Sequence, residues 1–162
     1  MKPIKGCLQD EVWNHWKKVE KIHDGVVDWR WDIRSPLPNN LQWFLTEIEE
    51  KDLPKIYIIS SDDWKTLTQS FRFLEVVDAL EKNVNDEKII DIKAKRAIYQ
   101  RDINGLDRKL VLVCPTTEGN FTIIEGNKRA VALQSIGKLV GTQIYLGVSS
   151  QIQNYKWARY SQ

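Results

Sequence analysis

The chain has 162 residues, of which 42% are hydrophobic and 28% charged, enough for one full core and too few for two, so a single domain over 1–162 is expected. Its formal charge of +2 declares no nucleic-acid or acidic-membrane partner by composition, and any basic surface must come from local clustering. Two cysteines (Cys7, Cys114) and two histidines (His15, His23) build no metal-ligand spacing, and no run reaches the ~18 consecutive apolar residues of a membrane span. With no apolar leader in Met1 to Gly6, a reduced, cytoplasmic setting is expected.

From Leu8 to His23 the residues Leu8, Val12, Trp16, Val19 and His23 recur at helical spacing, and Asp24-Gly25 closes the helix. His23 then falls on the apolar stripe, where a core histidine is commoner than a ligand. Asp28 to Arg34 alternates strictly, with Trp29, Trp31 and Ile33 against four charges, and reads as a half-buried edge strand. The two Trp are core cover on that reading, or a stacking platform for a base on the other. After the Pro-rich loop at 35–40, Leu41, Phe44, Leu45 and Ile48 trace a short helix to about Lys51. Residues 1–54 thus form an N-terminal helix-strand-helix extension packed on a core at 55–150.

Lys55 to Ser60 is an apolar, β-branched strand, and Ser61-Asp62-Asp63 can cap a brief helix from Trp64 to Thr68. Helices follow at Phe71 to Lys82 and at about Glu87 to Ile103, where Asn104-Gly105 stops the chain. Between Lys88 and Lys109, seven basic residues (Lys88, Lys93, Lys95, Arg96, Arg101, Arg108, Lys109) face three acidic ones (Asp91, Asp102, Asp107). That segment is a solvated helix face or a funnel for an anionic ligand or nucleic acid, with Lys93, Arg96 and Arg101 as the contacts.

Lys109 to Cys114 and Phe121 to Ile124 are strands around the Gly-bearing turn at Thr116 to Asn120, a β-hairpin. A helix from Asn127 to Leu139 and a strand from Gln143 to Val148 complete a hairpin-helix-strand core with a small mixed sheet, an α/β (α+β) fold. The tail at 151–162 interleaves Tyr155, Trp157 and Tyr160 with Lys156 and Arg159, a pattern that stacks on bases or docks back on the domain.

The chemistry concentrates at Glu125-Gly126-Asn127-Lys128-Arg129. Two cations in a helix's first turn oppose the macrodipole unless an anion sits there. On the wheel, Arg129 shares an arc with Ala132, Leu133, Ile136, Leu139 and Val140, so its guanidinium must have a partner on the packed side. Either it reaches back to Glu125 and the turn is structural, or the free N–H groups, Lys128 and Arg129 hold a phosphate chain while Glu125 faces a metal ion or a substrate.

Ile124-Glu125-Gly126-Asn127-Lys128-Arg129-Ala130, set between hairpin and helix, resembles the signature turn of the ParB/sulfiredoxin-like superfamily, in which an acidic or small residue, Gly, a variable pair and Arg open a helix at the nucleotide site. The resemblance covers Lys109 to Val148, with Lys55 to Asp63 and the two following helices as the family's first strand and helical cover. It implies phosphate binding by Gly126, Asn127, Lys128 and Arg129, and a nucleotide ligand such as ATP or CTP, with Mg²⁺. Phosphotransfer or NTP hydrolysis with Glu125 as base or metal ligand is the implied activity; ParB-type clamping on DNA is another use of the fold. Asn127 stands where sulfiredoxin has its reactive Cys, and an amide is no thiolate nucleophile. Lys128 replaces the His common in the turn, which removes a proton carrier at neutral pH. ParB's helix-turn-helix and dimerisation segments are not expected in the few residues after Ser150. Two other classes stay open: a DNA- or RNA-associated accessory protein using Lys88 to Arg101 and the tail, and a non-catalytic interaction module of a defence, antitoxin or mobile-element system.

Overall fold

The computed structural model describes residues 1–159. Its six strands are β1 (Pro3–Cys7), β2 (Gln42–Glu47), β3 (Ile56–Ile58), β4 (Leu110–Cys114), β5 (Phe121–Glu125) and β6 (Gln143–Val148). They form one mixed sheet in the order β1-β2-β6-β4-β5-β3. The β4–β5 hairpin is antiparallel, and β6 returns parallel to β4 on its other side. β3 adds to β5 in parallel, and at the opposite edge β2 pairs antiparallel with β6 and β1 antiparallel with β2.

The unbroken apolar runs explain the centre of the sheet. β4 and β5 are buried at every position, the outcome expected of strands covered on both faces. Between strands run the helices α1 (Gln9–Glu20), α2 (Trp31–Arg34), α3 (Phe73–Glu81), α4 (Glu87–Arg101) and α5 (Asn127–Ser135). α5 packs on α3 and α4. It ends where Gly137, at φ 66, turns the chain left-handed and lets Lys138 N–H reach the Leu133 carbonyl at 2.9 Å. The helix is therefore shorter than the expected Asn127 to Leu139: Leu139 is buried from the following turn, and Val140 is exposed.

The N-terminal part departs from the expected helix-strand-helix extension. Asp28 to Arg34 is not a strand: Arg30 adopts a left-handed backbone and the one-turn α2 follows. Trp29 and Ile33, four residues apart, are buried together, while Trp31 is 60% exposed. Leu41 to Lys51 is not a helix: Gln42–Glu47 pairs on both sides, with β1 and with β6, and a 3₁₀ turn (Glu50–Lys55) follows. Two interstrand ladders outweigh an apolar spacing that by itself fits a helix. β1, in a stretch with no apolar pattern of its own, exists because β2 offers it an edge. His23 is exposed, and the buried histidine of α1 is His15.

The segment is stapled to the sheet by tryptophans. Trp13 stands edge-on to Trp29 and Trp43, at ring-centre distances of 6.0 and 5.5 Å, and Trp16 to Trp29 at 5.5 Å. Gly147 faces Trp43 across the β2–β6 ladder, and a Cβ there would stand 2.9 Å from the indole ring; the missing side chain is the space the ring occupies.

The tail docks on the domain. Tyr155 Oη donates to the Ile33 carbonyl and Trp157 Nε1 to that of Asp32, each at 2.8 Å. Ser60 N–H donates to the Trp157 carbonyl at 2.9 Å. Its described aromatics are thereby fixed to α2 and to the end of β3; Tyr160 lies outside the described residues.

Because Trp16 is fully buried, Trp16→Ala is expected to cost about 3–5 kcal/mol and to lower the midpoint of one cooperative urea transition seen alike by fluorescence and circular dichroism. A separate early transition of the Trp-rich segment would show that residues 1–54 fold apart from the sheet.

Candidate functional site

β5 delivers Glu125 to the sheet's edge, Gly126 reverses the chain at φ 92, and α5 starts at Asn127 with no side chain capping it. Glycine is required there twice over: the conformation is left-handed, and a Cβ would lie 2.5 Å from Leu110 Cδ2 and 3.1 Å from Arg129 Nη1. The open space is needed by Arg129. Its Nη2 donates to Glu125 Oε1 at 3.1 Å, and its Nη1 to Glu125 Oε2 at 3.2 Å and to the Lys109 carbonyl at 2.6 Å. The two side chains are only 11% and 5% exposed. Of the two partners left open for Arg129, the structure takes Glu125, and it adds the start of β4 as a second anchor.

Burial pushes the Glu125 carboxyl above the ordinary carboxylate range, against the pull of the Arg129 guanidinium. Around the pair lie Tyr99, whose hydroxyl burial also pushes up, and His15, whose imidazole burial pushes down. His15 Nδ1 is 3.4 Å from Asp107 Oδ2, and its ring lies 5.2 Å from that of Tyr145.

Asn127 and Lys128 tie the turn to two further elements. The Asn127 side-chain oxygen accepts the Ile59 N–H at 3.1 Å, just past β3. Lys128 Nζ donates to the Asp91 carboxylate of α4 and holds that carboxyl below its usual range.

A cleft of about 700 Å³ opens onto this turn. Gly126, Asn127, Lys128 and Arg129 line it together with Asp91, Lys95 and Ile98 of α4, Ile59 and Trp64 after β3, and Val19, Glu20, Arg30 and Ile33 from the N-terminal segment. Its size suits a small-molecule ligand. All five residues singled out at the turn, Glu125 to Arg129, meet there. The three contacts singled out on α4 do not: Lys93 bonds to Asn83 and Arg96 pairs with Glu81 at 3.7 Å, both toward the α3–α4 turn, and Arg101 is exposed near the helix end. The helical repeat shows why, since Asp91, Lys95 and Ile98 share one face of α4, roughly opposite Lys93 and Arg96, with Arg101 on the flank between.

Sequence reading missed Glu20, Arg30 and Trp64, and it placed Lys95 in the basic run without singling it out, although its spacing one turn from Asp91 on α4 made it accessible. Glu20 and Arg30 reach the cleft because α1 and the turn before α2 lie over it, a placement no local pattern encodes. Among the described residues no group of three or more His, Cys, Asp or Glu could hold a metal ion, and no helix is long and apolar enough to cross a membrane.

Comparison with known protein families, with curated proteins and with solved structures gives no match.

Arg129→Met leaves a buried carboxylate without its cation and is expected to cost about 3–5 kcal/mol at pH 7. A carboxyl raised by burial stabilises the fold fully below its unfolded value and loses that contribution as pH rises through the folded value. Removing Arg129 raises Glu125 further, so the urea-midpoint deficit of the variant should shrink below about pH 4 and be largest at neutral pH. A deficit that grows on acidification would contradict the pairing. Gly126→Ala is expected to lower the thermal midpoint of an otherwise intact protein, by loss of the left-handed turn and crowding of Leu110; an unchanged midpoint would contradict the requirement.

Proposed function

We propose that the protein binds a nucleotide, such as ATP or CTP, or another phosphorylated small molecule, at the Glu125 to Arg129 turn, with Mg²⁺ accompanying a polyphosphate. The observation that carries this reading is the convergence of the 700 Å³ cleft on an uncapped, glycine-started helix N-terminus bearing Lys128. Backbone N–H groups at such a start favour phosphate oxygens. The half-buried Lys128 and the neighbouring Lys95 add positive charge, and Ile33, Ile59 and Trp64 supply an apolar wall for a base or other flat group. The resemblance of Ile124 to Ala130 to the ParB/sulfiredoxin-like turn points the same way.

In this arrangement Gly126 sets the left-handed turn that starts the helix, Asn127 and Lys128 offer their N–H groups, and Lys128 exchanges Asp91 for a phosphate. Arg129 keeps the turn in shape from behind. Phosphotransfer or hydrolysis would require Glu125 to leave Arg129 before acting as a base, so the resting geometry favours binding over catalysis.

Calorimetric titration with ATP, CTP, GTP and NAD, with and without Mg²⁺, is expected to find at least one ligand tighter than about 1 mM. Lys128→Glu is expected to weaken it by about tenfold or more. Failure of all four ligands to bind would overturn the reading.

A further inference from the structure

The N-terminal segment contributes one guanidinium to the cleft, and its bonding differs from that of its neighbour. Arg34 is consumed by structure: its Nε donates to the Trp29 carbonyl at 2.7 Å, its Nη2 to that of Val27 at 2.9 Å, and its guanidinium lies 4.0 Å from the centre of the Trp29 ring. Arg30 is held by one edge only. Its Nε donates to both oxygens of Glu20, at 3.0 and 2.8 Å. Glu20 is itself fixed by a hydrogen bond from Trp16 Nε1 at 2.9 Å. Among the described residues, neither terminal nitrogen of Arg30 has a hydrogen-bond partner, and the side chain is 51% exposed.

The backbone at Arg30 is unusual as well. Its φ of 47 is left-handed, a conformation with a steric cost for any residue that carries a Cβ. Strained positions of this kind concentrate where a side chain must be aimed. Here the strain accompanies a half-exposed guanidinium that lines the same cleft as Gly126, Asn127 and Lys128. The Glu20 hydrogen bond keeps that guanidinium firmly charged, and the Glu125 carboxylate across the cleft adds to the effect.

A free guanidinium fork takes two oxygens of one tetrahedral anion, which an ammonium cannot do. Resting on the phosphate reading of the cleft, we propose that Arg30 is a specificity-determining residue: it takes the outer phosphoryl group of a chain whose inner phosphate sits at the α5 turn. The site would then prefer diphosphates and triphosphates over monophosphates. The N-terminal segment, through this one arm, decides the length of phosphate chain accepted.

Orthophosphate and pyrophosphate are the probes, titrated calorimetrically alongside the nucleotide that wild type binds. Wild type is expected to bind pyrophosphate about tenfold tighter than orthophosphate, and Arg30→Gln to bring that ratio close to one. Arg30→Lys should restore the preference only in part, because it returns charge without the fork. Arg30→Gly, which relieves the left-handed backbone, guards against loss of fold and is expected to lose the same preference. A purely structural role for the Arg30–Glu20 pair would alter thermal stability in these variants without touching the ratio, and an unchanged ratio in Arg30→Gln and Arg30→Gly overturns the proposal while the phosphate reading stands. If wild type binds neither anion nor any nucleotide, the phosphate reading falls and this inference falls with it.

Discussion

The buried pair of Arg129 and Glu125, with the Lys109 carbonyl as third member, is the constraint on which the site depends. It joins the end of β5, the first turn of α5 and the start of β4 at one point. Burying two charges is close to neutral for stability, since desolvation offsets most of their attraction. Its consequence is positional: once the guanidinium is committed to both carboxylate oxygens and a carbonyl, the backbone of the turn has little freedom. Gly126 belongs to the same constraint, because any Cβ would meet Leu110 and the guanidinium it has to pass.

Around that point the cleft is organised by pairs that each span two elements. Lys128 reaches from α5 to Asp91 of α4, and Arg30 from the turn before α2 to Glu20 of α1. Both are solvent-accessible and contribute little to stability. Lys128 can leave Asp91 at small cost and Arg30 keeps its terminal nitrogens free of Glu20, whereas the buried pair behind them is fully committed. The site is thus a rigid buried ion pair behind a rim of looser, solvent-accessible ones. Asn127, whose amide oxygen closes on the Ile59 N–H, fastens the frame to the end of β3.

The core of the molecule was legible because its signals were local. The apolar runs of β4 and β5, the turn between them, Gly126 before α5 and the strand at β6 each follow from period and turn chemistry within a dozen residues. The start of α4 at Glu87 and its stop before Asn104 follow in the same way. Residues 28–34 were misleading because period-two alternation and an i, i+4 pair coincide in Trp29, Trp31 and Ile33. The left-handed backbone at Arg30, in a residue without a glycine's freedom, broke the tie. Residues 42–47 were misread because Leu41, Phe44, Leu45 and Ile48 carry a helical spacing, which pairing with β1 and β6 overrides.

By itself, the sequence determined an α/β chain with a glycine turn carrying Glu125, Lys128 and Arg129, and the necessity that Arg129 be paired, since a cation on a packed face cannot go unanswered. Tertiary structure decided the rest. It chose Glu125 as the partner, recruited β2 into the sheet through a ladder to β6 about a hundred residues away and β1 through a ladder to β2, and brought Glu20 and Arg30 over the cleft. Those outcomes depend on interstrand hydrogen bonds and burial between distant segments, which have no counterpart in the local periodicity of either one.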